Sequence, residues 1–318
     1  MLAPVQLLRG LARNVRDVLK VGSSTRAKLA YLRQKAVAEL NPWRFSRGLE
    51  KAFPSFTEQT SLINSPGAWD VLIVLDACRH DVFENVVHDL LDGSLARVRS
   101  PASMTIPWLK RTWHGTYRGV TYVSAHPYVN SMTPMGSFDA RGKFSAVIDV
   151  WRNGFDFSYG TTPPWNVNKA VKRLLLSLRA RRVVRRRPGA KRRPKLVIHY
   201  VQPHFPYIGV EDVRRIARVM RVLKERLSVR SLELGHLVNI YLIDKLDGGL
   251  ENLARFLRRS YEETLRLVLE HVALLLEDLR GRVVITADHG ELLGEHGLFF
   301  HLPLPLPELR HVPWFVVR

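Results

Sequence analysis

Val71-Leu72-Ile73-Val74-Leu75-Asp76 is an unbroken apolar run that ends in a carboxylate. A run without polar alternation is typical of a strand buried on both faces of a parallel sheet. Residues 196–198 and 283–285 form two more such runs, and helical patterns over 168–178 and 261–279 separate the three. This alternation predicts a doubly wound α/β fold, in which a mostly parallel sheet lies between two layers of helices.

Asp76 and Asp288 each follow one of these runs closely. Ligands of open α/β sheets bind beyond the carboxyl ends of the strands, so both carboxylates are expected at a binding edge. Asp288 is followed by His289, which can turn onto the same metal, and we expect Gly290 to let the backbone bend away sharply. Such a ligand set favours zinc or manganese over magnesium or calcium.

Four separated blocks between residues 66 and 318 resemble the alkaline phosphatase superfamily. They look like the corresponding blocks of sulfatases and of phosphoethanolamine and phosphoglycerol transferases, and their overall character resembles an archaeal sulfatase-like branch. The blocks lie at 70–77, 103–107, 199–207 and 286–313. The resemblance implies a metal-dependent enzyme whose catalytic domain spans residues 55–318, an α/β/α sandwich.

The same resemblance implies a set of site residues. Four side chains are expected to hold a divalent metal: Asp76, Thr105, Asp288 and His289. Three histidines are expected to hold a second metal or the phosphate, or to protonate the leaving group: His204, His296 and His301. Thr105 is the expected nucleophile. Arg79 is expected either to contact the phosphoryl group or to be an ordinary surface arginine.

The nucleophile block Thr105-Ile106-Pro107-Trp108-Leu109 separates phosphate from sulfate chemistry. Sulfatases oxidise a Cys or Ser to formylglycine, which Thr cannot form, and Leu109 stands where they carry an arginine. His301 replaces a sulfatase lysine, and Ala77 replaces a second metal-binding acid. These departures favour phosphoryl or phosphodiester hydrolysis or transfer, acting on a phosphate-linked head group of a lipid or glycan.

Three alternative functions stay open from the sequence. They are a sulfatase, a nucleotide or nucleic-acid phosphodiesterase, and a catalytically inactive protein that binds an anion or nucleic acid. The chain carries 49 Lys and Arg against 29 Asp and Glu, a net charge of +20, which implies an anionic partner. Nucleic acid is the less favoured partner, because the sequence contains no zinc-finger spacing or RNA-recognition motif.

Three further segments are predicted from local pattern. Residues 1–54 are a basic, amphipathic helical extension, and residues 172–195 are a basic loop. The extension either packs on the domain or anchors the protein at a membrane surface. The loop is either a solvated linker or an anion-binding patch, which could dock on anionic lipid. Residues 210–260 form a helical cover over the binding edge.

The sequence predicts a cytoplasmic protein, or one that is peripheral at the inner face of the membrane. It has no apolar run of about 18 residues and no unbroken apolar stretch of the kind a signal peptide needs. Cys78 is the single cysteine, so disulfides give no argument for an oxidising compartment.

Overall fold

The computed structural model describes residues 56–184, 195–209 and 249–318. The predicted extension at 1–54 lies outside the described residues, as do 185–194 of the predicted basic loop and 210–248 of the predicted cover.

Most of the strands belong to one central sheet. The strands that the structure describes are β1 Val71–Asp76, β2 Gly93–Arg99, β3 Tyr117–Ser124, β4 Phe144–Asp149, β5 Lys195–Pro203, β6 Val283–Ala287, β7 Leu292–Leu293, β8 Phe299–Phe300 and β9 His311–Val317. The sheet has seven strands in the order β2-β9-β6-β1-β5-β3-β4, while β7 and β8 form a separate hairpin. Only β9 runs against its neighbours, so the other six strands of the sheet end at one shared edge.

Helices cover both faces of this sheet. The described helices are α1 Gln59–Asn64, α2 His80–Val87, α3 Thr105–Thr112, α4 Val150–Asn153, α5 Pro164–Val184, α6 Gly249–Leu276 and α7 Pro307–Arg310. Successive side chains of a strand point to opposite faces. On β5, the hydroxyl of Tyr200 donates to Asn168 of α5 (2.6 Å), whereas the ring of His199 lies 6.0 Å from that of Trp108 on α3. Helices α3 and α5 therefore cover opposite faces, which confirms the predicted α/β/α sandwich.

Strand β1 lies at the centre of the sheet because its side chains are apolar on both faces. Leu72, Ile73, Val74 and Leu75 are all fully buried, and each such side chain contributes about 1.5–3 kcal/mol through removal from water. Strands β5 and β6 pair with β1 in parallel on its two sides. This arrangement brings Asp76, at the end of β1, to the shared edge without exposing it.

One predicted segment boundary is wrong in its described part. Residues 172–184, assigned to a basic loop, continue α5 instead. The three- and four-residue spacing of Val167, Val171 and Leu174 extends the apolar face, and Lys and Arg are good helix formers. Residues 249–260 of the predicted cover are helical, as expected: they begin α6, and Leu253 and Leu257 are buried in the core.

Candidate metal centre

Four side chains from three distant segments meet at the carboxyl edge of the sheet. Asp76 ends β1, Thr105 is the first residue of α3, and Asp288 and His289 follow β6. The Nε2 atom of His289 lies 3.2 Å from Thr105 Oγ1, 3.4 Å from Asp288 Oδ2 and 3.6 Å from Asp76 Oδ1. The structure thus brings together the residues that the sequence predicted as metal ligands.

Both carboxylates at this point are fully buried, and three of their oxygen atoms have no hydrogen-bond partner within the described parts of the chain. These are both oxygens of Asp76 and Oδ2 of Asp288. The backbone N–H groups of Ala77 (3.0 Å) and His289 (2.8 Å) hold Asp288 Oδ1 and leave Oδ2 to face the cluster. Unpaired buried carboxylate oxygens are costly, and a bound cation would satisfy them.

The protonation of His289 also suits a metal ligand. Its Nδ1–H donates to the carbonyl oxygen of Gly290 (2.8 Å), so the lone pair is on Nε2, the nitrogen that faces the carboxylates. Burial holds the pKa of His289 well below its ordinary value, which keeps the imidazole neutral.

Burial opposes a negative charge on either aspartate. It raises the pKa of Asp76 well above its ordinary value, and the nearby Asp288 and Glu291 raise it further. Burial also raises the pKa of Asp288 to about 6. Two carboxylates in such a place ionise together only when a cation offsets their charge. The donor set therefore fits a divalent metal.

Two histidines that the sequence did not single out as site residues also face Asp76. A ligand nitrogen of the fully buried His199 lies within 4.8 Å of carboxylate oxygens of Asp76 and Asp288. Its Nδ1 is 2.8 Å from the hydroxyl of Tyr122. His126, two residues beyond β3, places Nε2 3.4 Å from Asp76 Oδ2. Its position after a strand was a usable signal, but the adjacency of β3, β5 and β1 was not readable from the sequence.

A second group of side chains adjoins the first. Ligand atoms of His289, Glu291 and His301 lie within 4.8 Å of one another. His301 Nδ1 is 3.2 Å from Glu291 Oε2, and the rings of His204 and His301 are 5.0 Å apart. Burial raises the pKa of Glu291 to about 8. The predicted residues His204 and His301 thus lie beside the centre, together with Glu291, to which the sequence reasoning gave no role.

His296 lies apart from these groups. Its side chain is 52% exposed, and its Nε2 is 3.9 Å from Glu308. It belongs to a short 3₁₀ turn at Glu295–Gly297, where its backbone has a left-handed φ of 56°. The structure gives His296 a contact with Glu308 in place of the predicted role at the centre.

The structure also corrects the roles expected for Arg79 and Gly290. The buried guanidinium of Arg79 is paired with Asp81 (2.7 Å) and Glu295 (2.6 Å), and it donates to the backbone oxygen of Glu291 (3.1 Å). Two carboxylates therefore engage the group that was expected to contact phosphate. At Gly290 a Cβ atom would collide with the backbone oxygen of Glu308, so close approach is what requires glycine there.

No family model and no curated protein sequence matches the chain. Several solved structures resemble it. Lipooligosaccharide phosphoethanolamine transferase A, an integral membrane protein of Neisseria meningitidis, is 15% identical with a TM-score of 0.40. The match covers 85% of this chain and 52% of that protein, so the chain spans about half the length of the full transferase.

Two more structures are similar at the same level. The C-terminal periplasmic domain of EptC from Escherichia coli is 12% identical with a TM-score of 0.47, and the match covers 83% of this chain and 76% of that one. Another structure of the same domain is a complex with zinc. A phosphonate monoester hydrolase from Silicibacter pomeroyi is 13% identical with a TM-score of 0.36, covering 78% and 67% of the two chains.

By their names, these proteins include a phosphoethanolamine transferase and a phosphonate monoester hydrolase.

The predicted cytoplasmic location is wrong by the same comparison. The similar E. coli structures are periplasmic domains, and the N. meningitidis transferase is an integral membrane protein. The prediction failed because a lone cysteine removes the argument from disulfides without indicating either compartment. Among the helices that the structure describes, none is long and apolar enough to cross a membrane.

Proposed function

We propose that this chain is a metal-dependent hydrolase or transferase of phosphoryl groups or phosphodiesters, with Thr105 as its nucleophile. One observation carries the proposal. The hydroxyl of Thr105 lies 3.2 Å from the unprotonated nitrogen of His289, beside two buried carboxylates whose free oxygens have no other partner in the described residues. Asp76, Asp288 and His289 would hold the cation together with Thr105 Oγ1.

Zinc or manganese fits this donor set best, because it combines an imidazole with carboxylates. A divalent cation held there lowers the pKa of the threonine hydroxyl and offsets negative charge on the phosphoryl oxygens. The chain itself supplies the position of the nucleophile: Thr105 is held at the start of α3 and is only 5% exposed.

The proposed reaction has two balanced steps. Thr105 loses its proton to water, its oxygen bonds to phosphorus, and the bond from phosphorus to the leaving oxygen breaks as that oxygen takes up a proton. Water or an acceptor alcohol then attacks the phosphothreonine, loses its proton, and restores the hydroxyl of Thr105. The Glu291–His301 pair, 3.2 Å apart, either shares the proton for the leaving oxygen or offers ligands to a second cation, with His204 beside it.

The proposed substrate is a phosphate-linked head group on a lipid or glycan. The net charge of +20 favours such an anionic substrate but does not separate phosphate from sulfate. Phosphate is favoured by the nucleophile, because threonine cannot form the aldehyde that sulfatases use. Leu109 stands where sulfatases carry an arginine, and because it is apolar and fully buried, no cationic side chain occupies that position in α3.

The test is replacement of the hydroxyl without change of shape. Thr105→Val should lower turnover of an activated phosphodiester by about 1000-fold or more, the scale of losing a nucleophile, while the protein still binds zinc or manganese. Thr112→Val is the matched control, because Thr112 is buried in the same helix and its hydroxyl has no hydrogen-bond partner in the described structure. The control should keep full activity.

Two results would contradict the proposal. One is phosphodiester turnover by Thr105→Val at the wild-type rate. The other is wild-type turnover restricted to sulfate esters across a panel that also contains phosphomonoesters and phosphodiesters.

A further inference from the structure

His126 is held firmly beside the metal centre by the end of β3. Its backbone N–H donates to Ser124 Oγ (3.1 Å), and the same hydroxyl donates to the backbone oxygen of His126 (2.7 Å). The ring lies 4.5 Å from that of Tyr128 and 5.9 Å from that of His199, measured between centroids. Its side chain is 13% exposed, with Nε2 directed at Asp76.

The hydrogen bond to the other ring nitrogen fixes the tautomer of His126. The backbone N–H of Tyr128 donates to Nδ1 (3.2 Å), so Nδ1 holds a lone pair and the proton of the neutral ring is on Nε2. This is the reverse of His289, whose Nδ1–H donates to a carbonyl. A protonated Nε2 does not coordinate a metal, but it donates a hydrogen bond.

We propose that His126 is a positioning residue of the metal centre and makes Asp76 bind the cation through one oxygen. Its Nε2–H faces Asp76 Oδ2 at 3.4 Å without forming a hydrogen bond in the metal-free protein, and it would hold that oxygen once a bound cation keeps the carboxylate ionised. The other oxygen, Oδ1, is the one that lies 3.6 Å from the ligand nitrogen of His289. The inference rests on the metal site of the proposed function and assigns it a residue that does not touch the metal.

The division of the Asp76 oxygens has a chemical consequence. A carboxylate that binds through both oxygens occupies two positions around a cation. Holding Oδ2 away keeps one of them open, next to Thr105, for a phosphoryl oxygen. Hydrogen bonds that orient metal ligands in this way typically change metal affinity by about 10–100-fold.

The experiment separates the N–H donor of His126 from its ring. His126→Phe keeps the ring without the donor, whereas His126→Gln places an amide N–H at similar reach without the ring. The full-length protein is titrated with cobalt(II) and with zinc in the absence of substrate, and the visible spectrum of the cobalt form reports the number of ligands. His271→Phe is the control, since that histidine lies on α6 beside Trp165.

His126→Phe should bind zinc about 10–100-fold more weakly, with the cobalt spectrum shifted towards a higher ligand number. His126→Gln should restore most of the affinity and the wild-type spectrum, and His271→Phe should change neither. If His126→Phe does not fold, His126→Asn replaces it, because its amide is one methylene too short to reach Asp76 and should lose affinity as Phe does.

Equal affinity and an unchanged spectrum in His126→Phe would overturn the inference and leave the proposed function intact. So would a Gln variant as weak as the Phe variant, because the ring and not the donor would then matter. If the wild-type protein binds cobalt(II) and zinc no better than the ligand variant Asp288→Asn does, both the inference and the proposed metal site are overturned.

Discussion

At the scale of single residues, the histidines of the centre differ in which ring nitrogen is tied to the backbone. In His289 and His204, Nδ1–H donates to the carbonyl oxygen of the neighbouring residue, which leaves a lone pair on Nε2. In His126 a backbone N–H donates to Nδ1, which leaves a proton on Nε2. The backbone thus sorts chemically identical side chains into two with a lone pair on Nε2, which can bind a metal, and one with a proton on Nε2, which can donate a hydrogen bond.

Gly290 offers a prediction about stability at this scale. Gly290→Ala should destabilise the protein by about 1–3 kcal/mol, because the new methyl group meets the backbone oxygen of Glu308 and cannot be accommodated by a side-chain movement. Gly119→Ala is the control, since nothing lies within 4 Å of a Cβ atom there. Urea unfolding of both variants measures the difference. Equal stability of the two would show that the α7 segment moves aside freely.

Glu291 predicts how the metal-free protein responds to pH. Burial raises the pKa of this carboxyl from 4.5 to about 8 in the folded protein. Between these pH values the native state keeps a proton that the unfolded state has lost, so the free energy of unfolding falls as pH rises. Glu291→Gln should make this fall shallower, as measured by urea unfolding from pH 5 to 8 in a chelator.

The comparison for this prediction is Glu262→Gln, a change of an exposed glutamate on α6. It should leave the pH dependence as it is in the wild type. Asp288, whose pKa burial also raises, to about 6, accounts for part of the slope that remains after Glu291→Gln. A slope unaltered by Glu291→Gln would mean that Glu291 is already ionised in the native state.

At the scale of secondary-structure elements, the centre depends on how α3 is fixed to β6. Gln59 on α1 joins them: its amide nitrogen donates to Thr286 Oγ1 (2.7 Å) and to the backbone oxygen of Ala287 (2.6 Å) on β6. Its amide oxygen accepts from the indole N–H of Trp108 on α3 (2.8 Å). This buried amide therefore links the helix that begins at Thr105 to the strand that leads to Asp288.

Gln59→Leu should weaken both the fold and the metal site. Loss of the amide leaves the buried indole N–H of Trp108 unpaired, at a cost of about 1–3 kcal/mol, and frees α3 to shift relative to β6. Zinc affinity should fall in calorimetric titration, alongside a lower midpoint of urea unfolding.

Asn168→Leu is the matched control for Gln59. Asn168 is also buried and also joins two elements, accepting from Tyr200 on β5 and donating to the backbone of His271 on α6, but on the opposite face. It should lower stability by a similar amount and leave zinc affinity unchanged. If both variants lose zinc affinity equally, the loss comes from lower stability of the whole fold. The hydrogen bonds of Gln59 between α3 and β6 would then have no specific effect on the metal site.

At the scale of the whole molecule, the excess of 49 basic over 29 acidic residues predicts attraction to anionic surfaces. The full chain should bind vesicles that contain anionic lipid. The bound fraction should fall as the salt concentration rises, because salt shortens the Debye length, which is about 10 Å at 0.1 M. Sedimentation with vesicles measures it, with vesicles of neutral lipid as the control.

Residues 1–54 are expected to carry much of this attraction, together with the basic residues at 185–194. Each Lys or Arg near an anionic surface contributes about 1 kcal/mol before screening. Deleting 1–54 and neutralising 185–194 should therefore release most of the bound protein. Unchanged binding would assign the attraction to the rest of the chain, residues 55–184 and 195–318.

The sequence by itself determined the layers of the fold. Runs such as residues 71–75 are apolar at every position, which only a strand covered on both faces can bury, and the helical patterns between them require crossovers. The same runs placed Asp76 and Asp288 at strand ends, with His289 directly after Asp288. That Thr105 would join them was implied by the resemblance to the alkaline phosphatase superfamily.

Only the tertiary structure decided which other side chains meet there. His126 and His199 face Asp76 because β3, β5 and β1 are neighbours, an order set by packing between segments far apart in the chain. Arg79 and His296 are side chains of the kind that can bind phosphate or a metal, and both lie near metal-ligand motifs in the sequence. In the fold, however, Arg79 pairs with Asp81 and Glu295. The short turn that contains His296 directs its side chain towards Glu308. The local sequence determines the chemistry of a side chain and its position on a strand or helix. Packing between segments far apart in the chain determines which side chains it contacts.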